Sequence, residues 1–136
     1  MDIRRITDDY AVSPQIAPTD MAAIRAAGFG TILCNRPDAE VPAELSAAEM
    51  RRAAEAEGLA FVVNPVTHQG LNDEMVRLQA ETLDAADAPV LAYCASGTRS
   101  SIVWALGQAG RRAPDEIVDL AARAGYDLAG LRPRLG

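Results

Sequence analysis

Apolar runs of strand length alternate with helical patterns along most of this chain. Three runs, at residues 31–34, 60–63 and 89–93, are almost wholly apolar, as strands covered on both faces usually are. Because helices between buried strands imply parallel crossovers, the pattern predicts an α/β fold with a mostly parallel central sheet flanked by helices. The first sixteen residues predict a short N-terminal β-hairpin at an edge of the sheet, with apolar positions at Ile3, Ile6, Tyr10 and Val12.

Helix boundaries follow from capping residues and glycines. Thr19 is suited to cap a helix that ends at Gly28, and Ser46 with Glu49 has the spacing of a capping box before a helix closed by Gly58. Three further helices are predicted from residue 72, from near residue 99 toward 110, and from 114 to 125. The helix from residue 72 is predicted to bury one apolar face made of Met75, Leu78, Ala80 and Leu83.

Composition narrows the functional classes. With 136 residues, 49% apolar and 24% charged, the chain is expected to form a single globular domain over residues 1–136. Its net charge of −6 and the lack of a basic run argue against nucleic acid as a partner. Two cysteines, no leader-like N-terminus and no apolar stretch near the ~20 residues of a membrane span favour a cytoplasmic protein without a membrane partner.

The candidate chemistry lies in the segment Cys94-Ala95-Ser96-Gly97-Thr98-Arg99-Ser100, between the third apolar run and a predicted helix. A cysteine at this position faces backbone N–H groups and the positive end of the helix dipole, and both stabilise a thiolate. Gly97 lets the backbone close around an anion, and the planar fork of Arg99 suits two oxygens of a sulfonate or phosphate.

The remaining residues of the segment complete a nest for one tetrahedral anion. Ser96 and Thr98 add donors beside Ala95, and Ser100 is predicted to cap the helix or to donate to the Cys94 sulfur. The alternative is a buried cysteine followed by an ordinary turn. Strand, cysteine, glycine, arginine and helix in this order all serve anion binding, whereas packing requires none of them, so the reactive cysteine is favoured.

The loop and its surroundings resemble known proteins. Cys-x-Ser-Gly-x-Arg-Ser resembles the loop of rhodanese-type sulfurtransferases. Segments spread over about the first 110 residues resemble the bacterial family of beta-lactamase hydrolase-like proteins, phosphatase-like domain, which is also labelled a sulfur transferase. These segments are residues 6–13 with Gln15, then 28–29, 35–40, 65–66 and 93–100. The resemblance implies a dual-specificity-phosphatase-like fold, sometimes fused to a metallo-beta-lactamase-like domain that oxidises persulfides.

Sulfur transfer and phosphate-ester hydrolysis both use a cysteine thiolate and an arginine. The length of the loop and the presence or absence of a general acid must therefore distinguish the two reactions. Four residues separate Cys94 from Arg99. The loop of cysteine phosphatases follows the pattern Cys-x5-Arg, which is one residue longer than the loop of this chain. The loop of single-domain rhodaneses resembles the shorter loop found here. A phosphatase also needs a proton donor for the leaving alcohol, and residues 65–70, where that family carries an Asp, contain no carboxylate. His68 in this stretch is either a substitute acid or a solvated or hydrogen-bonded loop residue.

Residues 35–40 follow a predicted parallel strand and are expected at the same sheet edge as Cys94, where ligand sites of such sheets lie. Arg36 is predicted to add positive charge for an anionic substrate. Asp38 is predicted to act as a substitute acid or to orient Arg36 or Arg99, and the alternative for both residues is a structural turn held by a salt bridge. Cys34 is either a small buried hydrophobe or a resolving partner for Cys94.

These observations favour a sulfurtransferase in which Cys94 takes the sulfane sulfur of thiosulfate or a persulfide and passes it to a thiol acceptor. The resemblance adds a persulfide-oxidising metallo-beta-lactamase-like protein as a partner. The alternative is a phosphomonoester hydrolase with a phosphocysteine intermediate, and a third hypothesis is an anion-binding module without turnover. None of the three requires a cofactor or a metal.

Overall fold

The structure is a computed structural model that describes residues 1–67 and 69–136. Its described residues form one sheet of five strands in the order β1-β2-β5-β3-β4. The strands are β1 Arg4–Arg5, β2 Tyr10–Ser13, β3 Thr31–Cys34, β4 Ala60–Val63 and β5 Val90–Tyr93. β1 pairs with β2 antiparallel, and every other pair is parallel. The predicted α/β class is confirmed, and so is the N-terminal hairpin, whose first strand forms an edge.

Five α-helices accompany the sheet in the described residues: α1 Met21–Ala26, α2 Ala47–Ala56, α3 Asp73–Ala85, α4 Thr98–Gln108 and α5 Pro114–Arg123. The Ser46 hydroxyl caps α2 by accepting the N–H of Glu49 at 3.3 Å, but the Glu49 carboxylate binds Arg52 instead, so the predicted capping box is half formed. The predicted cap at Thr19 is wrong, because residues 18–20 form a short 3-10 turn before α1.

The sheet separates two apolar layers, as the alternation of side chains along each strand requires. Ile32, Leu91 and Tyr93 pack with residues of α1 and α2, while Leu33 and Ala92 pack with residues of α4 and α5. Among the described residues, no helix combines the length and apolar character needed to cross a bilayer.

Helix α3 buries a polar residue where an apolar face was predicted. Gln79 is 2% exposed, while Leu78 is 38% exposed, so the predicted face is wrong at Leu78. Gln79 is buried because its amide pairs with polar groups that follow β3 and β4, and an apolar side chain would leave those groups without partners.

The register of the parallel strands brings three chain segments to one edge. Ser13 and Cys34, the last residues of β2 and β3, both stand opposite Tyr93, the last residue of β5. The residues that follow these strands therefore meet at the carboxyl edge of the sheet, and Cys94 is one of them.

Candidate active site

Cys94 lies between β5 and α4, fully buried, at the carboxyl edge of the sheet. Its N–H donates to the Ser13 carbonyl at 3.4 Å, and its Sγ accepts the N–H of Gly97 at 3.1 Å. Gly97 is the N-terminal cap of α4 and has a φ of +92°, which glycine tolerates without strain. The N–H bond and the helix N-terminus both favour negative charge on the sulfur.

Hydroxyl groups hold the loop in its turn. The Ser96 hydroxyl donates to Thr98 Oγ1 at 3.0 Å and accepts the Thr98 N–H at 3.3 Å. Ser101 closes the other side, because its Oγ and its N–H both bind the Gly97 carbonyl. Ser96 and Thr98 therefore shape the loop through each other, and Ala95 lies between Cys94 and this turn.

Ser100 is placed differently from the prediction. Its hydroxyl neither caps α4, whose cap is Gly97, nor bonds to Cys94, and Oγ is fully buried without a hydrogen-bond partner among the described residues. Its carbonyl accepts the Tyr10 hydroxyl at 2.8 Å. Since α4 starts one residue earlier than predicted, Ser100 lies inside the first turn, where a buried donor without a partner is available to a bound group.

Arg99 is buried next to the loop, and acceptors occupy three of its five N–H groups. Nη1 donates to Glu40 Oε2 at 2.8 Å and to the Val66 carbonyl at 2.7 Å, and Nη2 donates to Glu40 Oε1 at 2.7 Å. Among the described residues, no oxygen acceptor binds the two remaining N–H groups, one on Nε and one on Nη2, which lie side by side on one edge of the guanidinium. This edge retains the two-pronged geometry that suits an oxyanion.

Charge in the site is fixed by the Arg99–Glu40 pair. Hydrogen bonds to Glu40 hold the pKa of Arg99 above its usual value against the effect of burial, and the charge of Glu40 and both the charge and the hydrogen bonding of Cys94 contribute less. The hydrogen bond from Arg99, with smaller contributions from Arg36, holds the pKa of Glu40 below its usual value. Both groups are therefore ionised at neutral pH.

Arg36 lies at the carboxyl edge of the sheet, as predicted, and contacts Glu40 there. Its Nη1 donates to Gln15 Oε1 at 3.1 Å, its Nη2 donates to the Glu40 carbonyl at 3.2 Å, and its Nε lies 3.5 Å from Glu40 Oε1. Arg36 thus supports Glu40, which in turn holds Arg99.

Asp38 does not orient either arginine, which corrects that prediction. Its Oδ1 accepts the N–H of Ala47 at 2.8 Å, and the side chain is exposed at the start of α2. Glu40, two residues further along the same short 3-10 turn, has the side chain that reaches Arg99. The sequence pattern carries both acids, and only the path of the turn decides which one faces the site.

The other two predicted side chains have separate outcomes. His68 lies outside the described residues. Cys34 is buried in the layer of Tyr93, its partner in register, and its Sγ lies 3.4 Å from the Arg36 carbonyl as a donor. Successive side chains along a strand point to opposite faces of the sheet, and Cys94 directly follows Tyr93. Cys34, in the layer of Tyr93, is therefore on the other face of the sheet from Cys94. This placement fits a small buried hydrophobe.

A buried network of side-chain amides stabilises the carboxyl edge of the sheet. The Asn35 amide donates to Gln79 Oε1 at 2.9 Å, the Asn64 amide donates to the same oxygen at 2.8 Å, and the Gln79 amide donates to the Tyr10 hydroxyl at 2.9 Å. Burial raises the pKa of Tyr10, so its hydroxyl stays a donor to the Ser100 carbonyl. Strands β2, β3 and β4, helix α3 and the first turn of α4 are tied together by this network.

Sequence reasoning missed Glu40, Gln79 and Tyr126, whose hydroxyl donates to the Ser96 carbonyl at 3.0 Å. Of these three residues only Glu40 had a signal in the sequence, because it lies in the segment 35–40 that resembles the phosphatase-like domain family. A cleft of about 330 Å³ opens beside Arg99 and is lined by Val66, Leu71, Ile102, Leu131 and Arg134, among others. Within the described part of the chain, no three His, Cys, Asp or Glu side chains come together as metal ligands.

Known structures share this fold. A Neisseria meningitidis protein named as a candidate phosphatase superposes with a TM-score of 0.85 at 34% identity, over 99% of this chain and 96% of that one. Kinase associated phosphatase, solved with its catalytic-site cysteine replaced by serine, superposes with a TM-score of 0.74 over 96% of this chain and 88% of its own, at 13% identity. The fold is therefore of the dual-specificity and tyrosine phosphatase type.

Sequence comparison agrees with the fold. A beta-lactamase hydrolase-like protein of Agrobacterium fabrum is 30% identical over 126 residues, which are 91% of this chain and 29% of that protein. The chain spans about three-tenths of the length of the curated relatives it matches. A family model described as beta-lactamase hydrolase-like protein, phosphatase-like domain, matches residues 2–111. With more than half of its length matched, and with this fold and cysteine loop, the chain belongs to that phosphatase-like domain family.

Proposed function

We propose that the chain is a cysteine-dependent phosphatase that hydrolyses phosphomonoesters through a phosphocysteine on Cys94. One observation carries the proposal: the Cys94 sulfur accepts the Gly97 N–H at 3.1 Å at the N-terminus of α4, in a fold shared with cysteine-dependent phosphatases. Phosphatase chemistry, the alternative in the sequence-based prediction, is favoured over sulfur transfer because the similar folds are those of phosphatases.

In the first step the Cys94 thiolate attacks phosphorus, the S–P bond forms and the P–O bond to the leaving group breaks. The leaving oxygen takes the bond's electron pair and a proton from solvent water. The loop N–H groups and the Nε and Nη2 edge of Arg99 hold the non-bridging oxygens, on which charge accumulates.

In the second step water adds to phosphorus and the S–P bond breaks. The electron pair returns to the sulfur, and a proton of the water passes to solvent as inorganic phosphate leaves. Ser100 supports this step, because its buried hydroxyl has no other partner among the described residues and is available to stabilise the departing thiolate.

Sulfur transfer is a second candidate, and the four-residue spacing between Cys94 and Arg99 favours it. The Cys94 thiolate then attacks the outer sulfur of thiosulfate, a new S–S bond forms, and sulfite leaves with the electron pair of the old one. A thiol acceptor removes the sulfur in the next step. This chemistry needs no acid, because sulfite leaves without a proton.

A side-by-side assay tests the two candidates on the wild type, Cys94→Ser and the matched control Cys34→Ser. We expect p-nitrophenyl phosphate hydrolysis in the wild type and in Cys34→Ser, and none above background in Cys94→Ser. Thiosulfate-to-cyanide transfer without hydrolysis would select sulfur transfer, and the absence of both would support the anion-binding module. The intact mass of the quenched protein distinguishes a phosphate adduct on Cys94 from one added sulfur.

A further inference from the structure

Tyr126 reaches the cysteine loop from the C-terminal end of α5, beyond the residues that the family model matches. Gly125, with a φ of +99°, ends that helix in a Schellman motif: its N–H donates to the Ala122 carbonyl, and the Tyr126 N–H donates to the Ala121 carbonyl, both at 2.9 Å. The motif fixes the backbone of Tyr126, and its side chain is only 8% exposed.

One peptide unit connects Tyr126 to the reactive sulfur. The Tyr126 hydroxyl donates to the Ser96 carbonyl at 3.0 Å, and the N–H of the same Ser96–Gly97 peptide donates to Cys94 Sγ at 3.1 Å. The peptide is trans, so its C=O and N–H point in opposite directions. Holding the carbonyl toward Tyr126 therefore holds the N–H toward the sulfur.

Packing leaves Tyr126 little freedom. A Cβ at Gly97 would overlap the Tyr126 oxygen and lie 2.9 Å from its Cζ, so the ring and hydroxyl rest directly on the loop backbone. The Arg4 guanidinium carbon lies 5.7 Å from the centroid of the Tyr126 ring, and Arg4 Nη1 donates to the Ala124 carbonyl at 3.1 Å. Contacts from β1, α5 and the loop thus confine the side chain.

We propose that Tyr126 is a positioning residue of the cysteine loop, which keeps the Gly97 N–H on Cys94 Sγ and so maintains the sulfur as a reactive thiolate. Without the hydroxyl, the Ser96–Gly97 peptide can rotate and the sulfur loses a donor. The proposal rests on Cys94 as the reacting group of the proposed function, and it holds for either phosphoryl or sulfur transfer.

The test is the pH profile of Cys94 alkylation by iodoacetamide, followed by peptide mass, in the wild type and Tyr126→Phe. This variant keeps the ring and removes only the hydroxyl. We expect the variant to be alkylated about tenfold more slowly than the wild type at neutral pH, because its sulfur has lost a fixed hydrogen-bond donor. Coinciding profiles would overturn the proposal.

Tyr93→Phe is the matched control, because the Tyr93 hydroxyl is buried in the layer of Cys34 and makes no hydrogen bond to the cysteine loop. Its profile should follow the wild type, and the same slowing in both variants would overturn the proposal. Alkylation needs no turnover, so the comparison is separate from the proposed function. If the wild type hydrolyses no phosphomonoester but the alkylation profiles of the wild type and Tyr126→Phe differ as expected, the proposed phosphatase activity is contradicted. The positioning role of Tyr126 is then still supported.

Discussion

Glu40 binds both terminal nitrogens of the Arg99 guanidinium, at 2.8 Å to Nη1 and 2.7 Å to Nη2. The Arg99 side chain is 6% exposed and that of Glu40 is 32% exposed, so water competes little at the arginine end of the pair. This arrangement takes up one edge of the guanidinium and leaves the Nε edge for an oxyanion. The fork that was predicted to bind substrate is therefore itself held by a carboxylate.

We expect Glu40→Gln to raise KM by about tenfold in whichever assay shows turnover, with a smaller change in kcat. An amide cannot accept two charge-assisted bonds, so Arg99 loses its fixed orientation. Glu49→Gln is the matched control, because Glu49 binds Arg52 through two bonds of 2.8 Å at an exposed site. Similar KM values in all three proteins would show that Glu40 does not position Arg99.

The same carboxylate predicts a pH dependence of stability. Arg99 lowers the folded-state pKa of Glu40, so its ionised form stabilises the fold above the unfolded-state pKa of about 4.3, and this contribution is lost as the pH falls through the folded-state pKa. Urea denaturation at a series of acidic pH values should show a steeper loss of unfolding free energy in the wild type than in Glu40→Gln. Parallel curves for the two proteins would contradict this linkage.

Arg99→Lys is expected to lower kcat/KM on the order of 10²-fold, although the charge is kept. A lysine ammonium cannot bind Glu40 and Val66 while presenting two parallel N–H groups to an oxyanion. The control is Arg52→Lys at the exposed pair, which should retain wild-type kinetics. Near wild-type turnover in Arg99→Lys would remove the oxyanion-binding role of the fork.

Gly97→Ala should destabilise the protein more than Gly110→Ala. The two glycines have similar positive φ values, +92° and +83°, so both substitutions carry a backbone cost of about 1–2 kcal/mol. Only at Gly97 does the new Cβ meet Tyr126, whereas at Gly110 no atom of the described residues lies within 4 Å of it. Thermal unfolding measures the difference, and equal shifts in Tm would show that the loop moves away from Tyr126 at no cost.

Asp38→Asn should leave kcat within about twofold of the wild type. The Asp38 carboxylate accepts the Ala47 N–H at the start of α2, and an asparagine oxygen can accept the same bond. A general acid behaves differently, because its loss slows departure of an alkoxide by on the order of 10²-fold. Steady-state kinetics with phenyl phosphate, whose phenoxide leaves poorly without a proton, distinguish the two, and a hundredfold loss with an intact circular dichroism spectrum would restore Asp38 as the acid.

Local signals explain what could be predicted. The buried strand before Cys94, the glycine at residue 97 and the helix after it each follow from residue types next to one another, so the loop was recognisable without a structure. Helix α3 shows the limit of prediction from neighbouring residues. A helical face was visible in the spacing of its apolar residues, but the burial of Gln79 depends on Asn35 and Asn64, which lie 44 and 15 residues away.

The sequence by itself determined the α/β class, the hairpin and the identity of the cysteine loop, because hydrophobic period, capping residues and turn glycines act over a few neighbouring residues. Tertiary structure alone decided that Glu40 rather than Asp38 holds Arg99, and that Tyr126 meets the Ser96 carbonyl. These contacts join residues separated by 59 and 30 positions. They depend on strand register and on the paths of the turns, which no local pattern specifies.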